Sequence, residues 1–268
     1  MKKDLIFAGI DIGSRTAKAV LLIDSTYRWV QSSTDADIDA TILKIQKMAI
    51  EEIGDGKWEA SYTVATGYGR VVVPFANETV TEISCAARAA VWLDPEVRLL
   101  LDMGGQDCKA IRCDEKGLPV NFILNEKCAA GTGRYLERVA KALRLPLDEM
   151  GPRSLQIVDK PASVSRVCAV LAQNDVLHLI HQGVHPNDIL AGACESVVQR
   201  VITMMQRVGL EGGKVMFCGG VARNIGVVKR LEQQLGREVV IPADPDAVVA
   251  LGAALIAQSR AARLSARV

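Results

Sequence analysis

Apolar residues in the first third of the chain form short runs typical of strands and longer stretches with helical spacing. The short runs are bounded by turn residues such as Asp24, Ser25 and Thr26, whereas the longer stretches repeat an apolar residue every three or four positions. The predicted strands are 5–10, 17–23, 28–32 and 58–66, and the predicted helices are 37–53 and 82–92.

The rest of the chain begins with a second group of strands, continues through helices and ends in a strand-helix-strand-helix order. Residues 147–150 are predicted to form a short turn, and Pro161 to Ser163 are predicted to cap the helix that contains Cys168. This order predicts an α/β fold. The predicted strands are 97–101, 108–113, 120–124, 214–218 and 238–241, and the predicted helices are 132–143, 167–180, 186–208, 227–235 and 246–260.

Two segments of the chain resemble each other. When Ile10 to Val20 is aligned with Leu101 to Ile111, residues of the types Asp, Gly, Lys and Ala match at identical spacing. In each segment an Asp follows a predicted strand and leads into a Gly-containing turn, where backbone N–H groups can approach an oxyanion closely. The repeat predicts two related domains, each led by a β-hairpin and each offering an Asp and a Gly turn to a shared ligand.

The amino-acid composition excludes several classes of protein. The chain has 268 residues, of which 49% are hydrophobic and 24% charged, so it is expected to fold around a sizeable core. A net charge of +1 and an aromatic content of 4% give no basic or stacking surface, so no nucleic acid partner is expected. No uncharged apolar run reaches the roughly 18 residues that span a bilayer, and Asp4 and Asp11 interrupt the N-terminal run. We expect a cytoplasmic protein without a membrane partner whose first residues form a strand.

The seven cysteines are then expected to be free thiols, metal or cluster ligands, or redox groups. Cys128 follows a predicted strand and precedes a predicted helix, where the helix dipole favours thiolate. Three histidines, at 178, 181 and 185, lack a carboxylate or cysteine spaced to complete a metal site, and no GxxxxGK[ST] phosphate loop is present. The cysteines expected in the core are Cys85, Cys108, Cys113, Cys194 and Cys218.

Four motifs carry a resemblance to a known family, and they span essentially the full chain. They read ATGYGR at 65–70, DMGGQD at 102–107, NEKCAAGTGR at 125–134 and CGGVARN at 218–224. The chain resembles the BadF/BadG/BcrA/BcrD-type ATPases, which include activators of 2-hydroxyacyl-CoA dehydratases and ATPase subunits of benzoyl-CoA reductase. The resemblance implies two ribonuclease-H-like domains of the actin, Hsp70 and sugar kinase superfamily. They would comprise residues 1–96, completed by 246–268, and residues 97–245.

The resemblance also implies cofactors and roles for residues. ATP or ADP and Mg²⁺ would be bound, with Asp11 and Asp102 holding the metal through waters and Gln106 orienting the attacking water. A [4Fe-4S] cluster would be shared between two subunits, each giving Cys128 and Cys168. Lys18 and Lys109 are more simply explained as exposed hairpin residues, with a phosphate-binding role as the alternative for Lys18. The implied nucleotide-binding residues are Gly13, Ser14, Lys18, Gly104, Gly105, Gly219, Gly220, Ala222 and Asn224.

The implied function is that of an ATP-hydrolysing, low-potential electron donor. Ferredoxin or flavodoxin would reduce the cluster, a second copy or a paralogous subunit would complete it, and the electron would pass to a CoA-thioester reductase or dehydratase. The segment 187–192 favours the benzoyl-CoA reductase ATPase subunit, with the dehydratase activator as the alternative. More distant alternatives are a kinase for a sugar or small acid, which would need a separate catalytic Asp, and a filament-forming actin relative, which would need subdomain insertions.

Overall fold

The computed structural model describes residues 5–54, 57–125, 131–165 and 168–266. The chain folds into two compact units: one comprises Met1–Glu96, Cys113–Pro119 and Asp246–Val268, and the other comprises Val97–Arg112 and Val120–Pro245. The strands are β1 (Ile6–Ile12), β2 (Thr16–Ile23), β3 (Thr26–Ser33), β4 (Tyr62–Gly67), β5 (Glu78–Thr79), β6 (Val97–Met103), β7 (Cys108–Cys113), β8 (Pro119–Asn125) and β9 (Lys214–Cys218). The helices are α1 (Ile38–Ile53), α2 (Glu82–Leu93), α3 (Gly133–Ala142), α4 (Leu147–Ser154), α5 (Ala169–His181), α6 (Pro186–Val208), α7 (Ile225–Leu235) and α8 (Val248–Ser265).

The sheet of the first unit has the strand order β3-β2-β1-β4-β5, with β1 antiparallel to β2 and parallel to β4. All residues of β1 are buried, because helices cover both of its faces. Ala8, Ile10 and Ile12 share a core with α1, whereas a Cβ on Gly9 would lie 1.9 Å from the carbonyl oxygen of Ala250 in α8. This close approach of backbones requires glycine at that position.

The sheet of the second unit has the order β8-β7-β6-β9, with β6 antiparallel to β7 and parallel to β9. Its core joins Leu101 and Phe217 of the sheet to α3, α6 and α7. The 23-residue helix α6 is buried along most of its length and is therefore the central helix of this unit. The fold is α/β, as the sequence predicts, and the first strand is confirmed.

Three sequence predictions are wrong in the second unit. Residues 147–150 begin the helix α4 instead of forming a turn. Residues 161–163 do not start a helix, and the Ala162 N–H donates to the Asp188 carbonyl at 2.9 Å. Just before this segment, the buried Asp188 carboxylate accepts hydrogen bonds from the N–H groups of Val158 and Asp159 at 2.8 and 3.1 Å. The strand predicted at 238–241 is reduced to a single bridge between Met216 and Val240.

The predicted core cysteines are confirmed, since all five are buried. In the first unit, burial raises the pKa of the Cys85 thiol to about 12. Within the described ranges, no helix is long and apolar enough to cross a membrane.

Candidate functional site

The hairpin of the first unit places an Asp, a Lys and a Gly together. Asp11 of β1 pairs with Lys18 of β2 in the antiparallel register, and the Lys18 Nζ lies 3.2 Å from the Asp11 Oδ2. Gly67 ends the neighbouring parallel strand β4 with a φ of 88°, and a Cβ there would lie 2.5 Å from the Asp11 Oδ1. The Asp11 carboxylate is therefore buried, paired on one side by an ammonium group and bounded on the other by a turn that only glycine fits.

The hairpin of the second unit repeats this arrangement. Asp102 of β6 pairs with Lys109 of β7, and the Lys109 Nζ lies 3.5 Å from the Asp102 Oδ2. Gly219, directly after the parallel strand β9, has a φ of 82°, and a Cβ there would lie 2.7 Å from the Asp102 Oδ1. The repeat predicted from the sequence is thus a repeat of register, charge pairing and backbone conformation.

The second unit adds a charge that the first lacks at the corresponding position. Asp107 stands where the aligned segment has Thr16, and its Oδ2 lies 2.7 Å from the Lys109 Nζ. Lys109 is only 5% exposed, so its interpretation as an exposed hairpin residue is wrong. The Lys109 ammonium group thus lies within ion-pair distance of the carboxylates of both Asp102 and Asp107.

The turn between β6 and β7 is bonded directly to the start of α3. The Gly104 N–H donates to the Asp107 carbonyl at 3.0 Å, which closes the turn. The carbonyl oxygens of Gly104 and Gly105 accept hydrogen bonds from the N–H groups of Gly133 and Arg134 at 3.0 and 2.9 Å. Two backbone hydrogen bonds therefore join this turn to the first residues of α3. Gln106 lies at the tip of the turn and is exposed.

A second Gly turn follows β9. Gly219 donates its N–H to the Pro245 carbonyl at 2.8 Å, and Gly220–Arg223 forms one 3-10 turn. The Asn224 Oδ1 accepts from the N–H groups at the start of α7, so this side chain caps a helix. Ala222 is buried, and Gly220 is exposed at the turn.

Each of the two hairpins, taken by itself, has features that fit a phosphate group and its metal ion. At the start of each turn, the N–H groups of Gly13 and Gly104 donate hydrogen bonds to the carbonyl oxygens of Thr16 and Asp107 respectively. A Cβ on Gly104 would lie 2.7 Å from the Asp107 Oδ1. Such turns, with no side chain to block them, suit phosphate groups. Ser14 lies half-buried in the first turn. The buried carboxylates of Asp11 and Asp102 supply the oxygen atoms that Mg²⁺ prefers.

Cys168 occupies the N-cap position of α5. The nearby backbone N–H groups of Val170 and Leu171 lower the pKa of its thiol, and the positive charge of Arg200 acts in the same direction. This environment favours thiolate, the form that binds iron, so Cys168 fits a cluster ligand. Cys128 lies outside the described residues. Among the residues described, no group of three His, Cys, Asp or Glu side chains could hold a metal ion.

Sequence reasoning assigned no role to Asp107 or Arg200, which the geometry brings into or beside the site. Asp107 stands inside a quoted motif, so the motif itself could have indicated it. Arg200 has no sequence signal, because only the packing of α6 places it near Cys168.

Comparison of the sequence with known proteins shows the family to which the chain is related. Residues 8–257 match the sequence profile of the BadF/BadG/BcrA/BcrD ATPase family. The chain is 42% identical to the activator of lactoyl-CoA dehydratase from Anaerotignum propionicum, covering 94% of this chain and 97% of that protein. It is 37% identical to the (R)-2-hydroxyglutaryl-CoA dehydratase activating ATPase from Acidaminococcus fermentans, covering 95% and 98% respectively. It is 34% identical to a benzoyl-CoA reductase subunit from Thauera aromatica, covering 93% and 92%.

Two solved structures superpose on this chain and have the same fold. The activator of the 2-hydroxyisocaproyl-CoA dehydratase from Clostridium difficile, with bound ADPNP, superposes with a TM-score of 0.87 at 33% identity, covering 98% of each chain. A ROK family glucokinase from Streptomyces griseus gives a TM-score of 0.57 at 11% identity, covering 95% of this chain and 99% of that one, which shows a shared fold alone. The fold is that of the actin, Hsp70 and sugar kinase ATPases, as the resemblance implied.

Proposed function

The chain belongs to the BadF/BadG/BcrA/BcrD ATPase family, and we propose that it hydrolyses ATP to drive single electrons into a 2-hydroxyacyl-CoA dehydratase. The observation that carries the ATPase assignment is the duplicated arrangement of Asp, Lys and Gly in the two hairpins. Greater identity to dehydratase activators than to the benzoyl-CoA reductase subunit supports the dehydratase as partner.

We assign roles in nucleotide binding by position. The turns that begin at Gly13 and Gly104 bind phosphate oxygens through the backbone N–H groups of Ser14 and Gly105. The turn of Gly219, Gly220, Ala222 and Asn224 contributes to the nucleotide site. Lys18 and Lys109 hold the neighbouring carboxylates at fixed positions, since each ammonium group is paired in its hairpin.

Hydrolysis requires a metal ion and an oriented water. Asp11 and Asp102 would hold Mg²⁺ through its waters, and the ion would supply positive charge beside the phosphates. Gln106, exposed at the tip of its turn, orients the attacking water.

Electron transfer is the second part of the proposal. Cys128 and Cys168 are assigned as ligands of a [4Fe-4S] cluster that a second copy of the chain, or a paralogous subunit, completes, because four thiolates are needed. The cluster supplies the one-electron chemistry, with ferredoxin or flavodoxin as the donor. The lowered pKa of Cys168 supports its assignment as a ligand.

The alternative is the ATPase subunit of benzoyl-CoA reductase, which the relative in Thauera aromatica supports. The segment 187–192 does not favour it further, because its polar side chains have structural tasks. Asn187 donates to the Gln156 carbonyl at 2.9 Å, and Asp188 holds the loop at Val158. A small-molecule kinase rests on likeness of fold alone.

The test is ATPase activity and ATP-dependent activation of a 2-hydroxyacyl-CoA dehydratase by the anaerobically purified protein. Asp102→Asn removes the charge that meets the metal and should lower turnover at least about a hundredfold, since electrostatic stabilisation is a large part of such catalysis. Asp148→Asn, exposed on α4, is the matched control and should retain turnover. Wild-type turnover in Asp102→Asn would show that this carboxylate has no part in hydrolysis.

A further inference from the structure

A row of polar side chains crosses three neighbouring strands of the first unit. Lys18 of β2, Asp11 of β1 and Thr66 of β4 are partners in the strand register, so their side chains lie next to one another on one face of the sheet. Lys18 and Asp11 form an ion pair. Because β1 lies between β2 and β4, Thr66 stands on the opposite side of the Asp11 carboxylate from the ammonium group.

The Thr66 hydroxyl group is buried without a hydrogen-bond partner. Thr66 is 0% exposed, and none of the described residues forms a hydrogen bond with its Oγ1. The Cys85 thiol of α2 is close enough to interact with this hydroxyl group, but a thiol is a weak partner and the two groups lack the geometry of a hydrogen bond. A buried hydroxyl group without a partner destabilises the folded protein, which indicates a partner that the described residues do not supply.

The second unit shows that the fold does not require this hydroxyl group. The partner of Asp102 on the parallel strand β9 is Cys218, which directly precedes Gly219 as Thr66 directly precedes Gly67. The repeat thus places a buried thiol where the first unit has a hydroxyl group. The strand pairing, the buried carboxylate and the glycine turn form with either side chain, so a task at the site explains the hydroxyl group better than folding does.

A hydrated metal ion supplies the missing partner. Mg²⁺ keeps several of its water molecules in protein sites, and water can bridge a ligand to nearby oxygen atoms. We propose that Thr66 is a positioning residue of the metal site in the first unit, whose hydroxyl group accepts a hydrogen bond from a water molecule that the metal ion binds beside Asp11. The inference rests on the proposed function, because it needs the metal ion that accompanies the nucleotide.

The test compares Thr66→Val, which keeps the branched shape and removes the hydroxyl group, with Thr66→Ser, which keeps the hydroxyl group. In metal-free and nucleotide-free protein, Thr66→Val should raise the midpoint of thermal unfolding by about 2 °C or more, because it removes a buried group without a partner. In calorimetry with the non-hydrolysable analogue ADPNP, it should weaken binding about tenfold when Mg²⁺ is present and leave binding unchanged in EDTA. Thr66→Ser should bind ADPNP and Mg²⁺ as the wild type does.

Thr63→Val is the matched control, because Thr63 is buried in the same strand and its side chain lies on the opposite face of the sheet. It should leave the affinity in the presence of Mg²⁺ unchanged. A lower unfolding midpoint in metal-free Thr66→Val would overturn the inference, since the hydroxyl group would then have a partner within the chain.

Four binding results would also overturn the inference and leave the proposed function intact. They are wild-type affinity in Thr66→Val, an equal loss of affinity with Mg²⁺ and with EDTA, an equal loss in Thr63→Val, and Thr66→Ser binding no better than Thr66→Val. Wild-type protein whose affinity for ADPNP does not depend on Mg²⁺ would overturn the metal site of the proposed function together with this inference.

Discussion

Replacing Gly219 with Ala tests whether the turn after β9 shapes the site. Gly219 has φ 82° and ψ 171°, a backbone region that is essentially restricted to glycine. A Cβ there would lie 2.4 Å from the Met103 carbonyl oxygen and 2.7 Å from the Asp102 Oδ1. The methyl group must therefore displace the end of β6 or the carboxylate that we assign to the metal ion.

The stability that Gly219→Ala should lose comes from strain in the backbone and from the overlap of the added methyl group with its neighbours. Occupying such a conformation costs on the order of 1–3 kcal/mol, and the overlap with backbone adds to it, so we expect Gly219→Ala to lose about 2–4 kcal/mol of stability. Gly236→Ala is the matched control: its φ is 65° and nothing lies within 4 Å of a Cβ there. Its cost should be only about 1 kcal/mol, the cost of a left-handed residue.

The assays are denaturant unfolding and Mg²⁺-dependent nucleotide binding by calorimetry. Gly219→Ala should weaken binding at least about tenfold, the equivalent of about 1.4 kcal/mol, whereas Gly236→Ala should bind as the wild type does. If the two variants lost equal stability and bound nucleotide equally well, the assignment of the Gly219 turn to the nucleotide site would be refuted.

Two further predictions concern the catalytic turn and the thiols. Gln106→Ala should keep nucleotide affinity in calorimetry and lower ATP turnover about a hundredfold or more, because the exposed amide is assigned to the attacking water. If the variant instead lost nucleotide affinity and kept its turnover per bound ATP, Gln106 would be reassigned to nucleotide binding. In iron-free protein, alkylation of Cys168, followed by mass spectrometry, should continue to a lower pH than alkylation of an ordinary cysteine, because the lowered pKa of Cys168 keeps thiolate present there. Cys85 has a pKa raised to about 12 and should stay unmodified until the protein unfolds. Equal reactivity of both thiols would contradict the assigned environments.

The sequence predicts the hairpins well, because local patterns determine them. The Asp, Gly and Lys spacing that aligns residues 10–20 with 101–111 is reproduced as strand register, with Asp11 opposite Lys18 and Asp102 opposite Lys109. The burial of Lys109 was not predictable from this pattern. The Lys109 Nζ lies 2.7 Å from the Asp107 carboxylate and 3.5 Å from the Asp102 carboxylate, and the strand pattern alone does not predict that both would pair with one ammonium group.

Where the sequence predicts a helix or strand wrongly, contacts between distant parts of the chain determine the structure that forms. Gly151 and Pro152 argue against a helix at 147–154, yet a Cβ on Gly151 would lie 2.9 Å from the Asn224 Oδ1, so glycine there permits close packing against the start of α7. The sequence also predicts a strand that includes Trp58. Instead β4 begins at Tyr62, and the Trp58 ring packs on Phe75 with centroids 4.9 Å apart.

The position of Cys168 illustrates the same limit for the site. The sequence predicts that Cys168 stands at the start of a helix, and this is confirmed, because the residue is the N-cap of α5. The electrostatic effect of Arg200 comes from a different helix, thirty-two positions further along the chain. No local pattern contains that information, because it arises from the packing of α5 and α6.

The most direct test of the central claim is the iron content of protein purified without oxygen, measured together with ATP-dependent electron transfer to a 2-hydroxyacyl-CoA dehydratase. The wild type should contain iron and transfer electrons, and Cys168→Ala should lose both while folding and binding nucleotide. Cys194→Ala, which alters a thiol buried in the core of the same unit, should keep both. Iron that survives the combined Cys128→Ala and Cys168→Ala substitutions would contradict the assigned cluster ligands and, with them, the electron-transfer function.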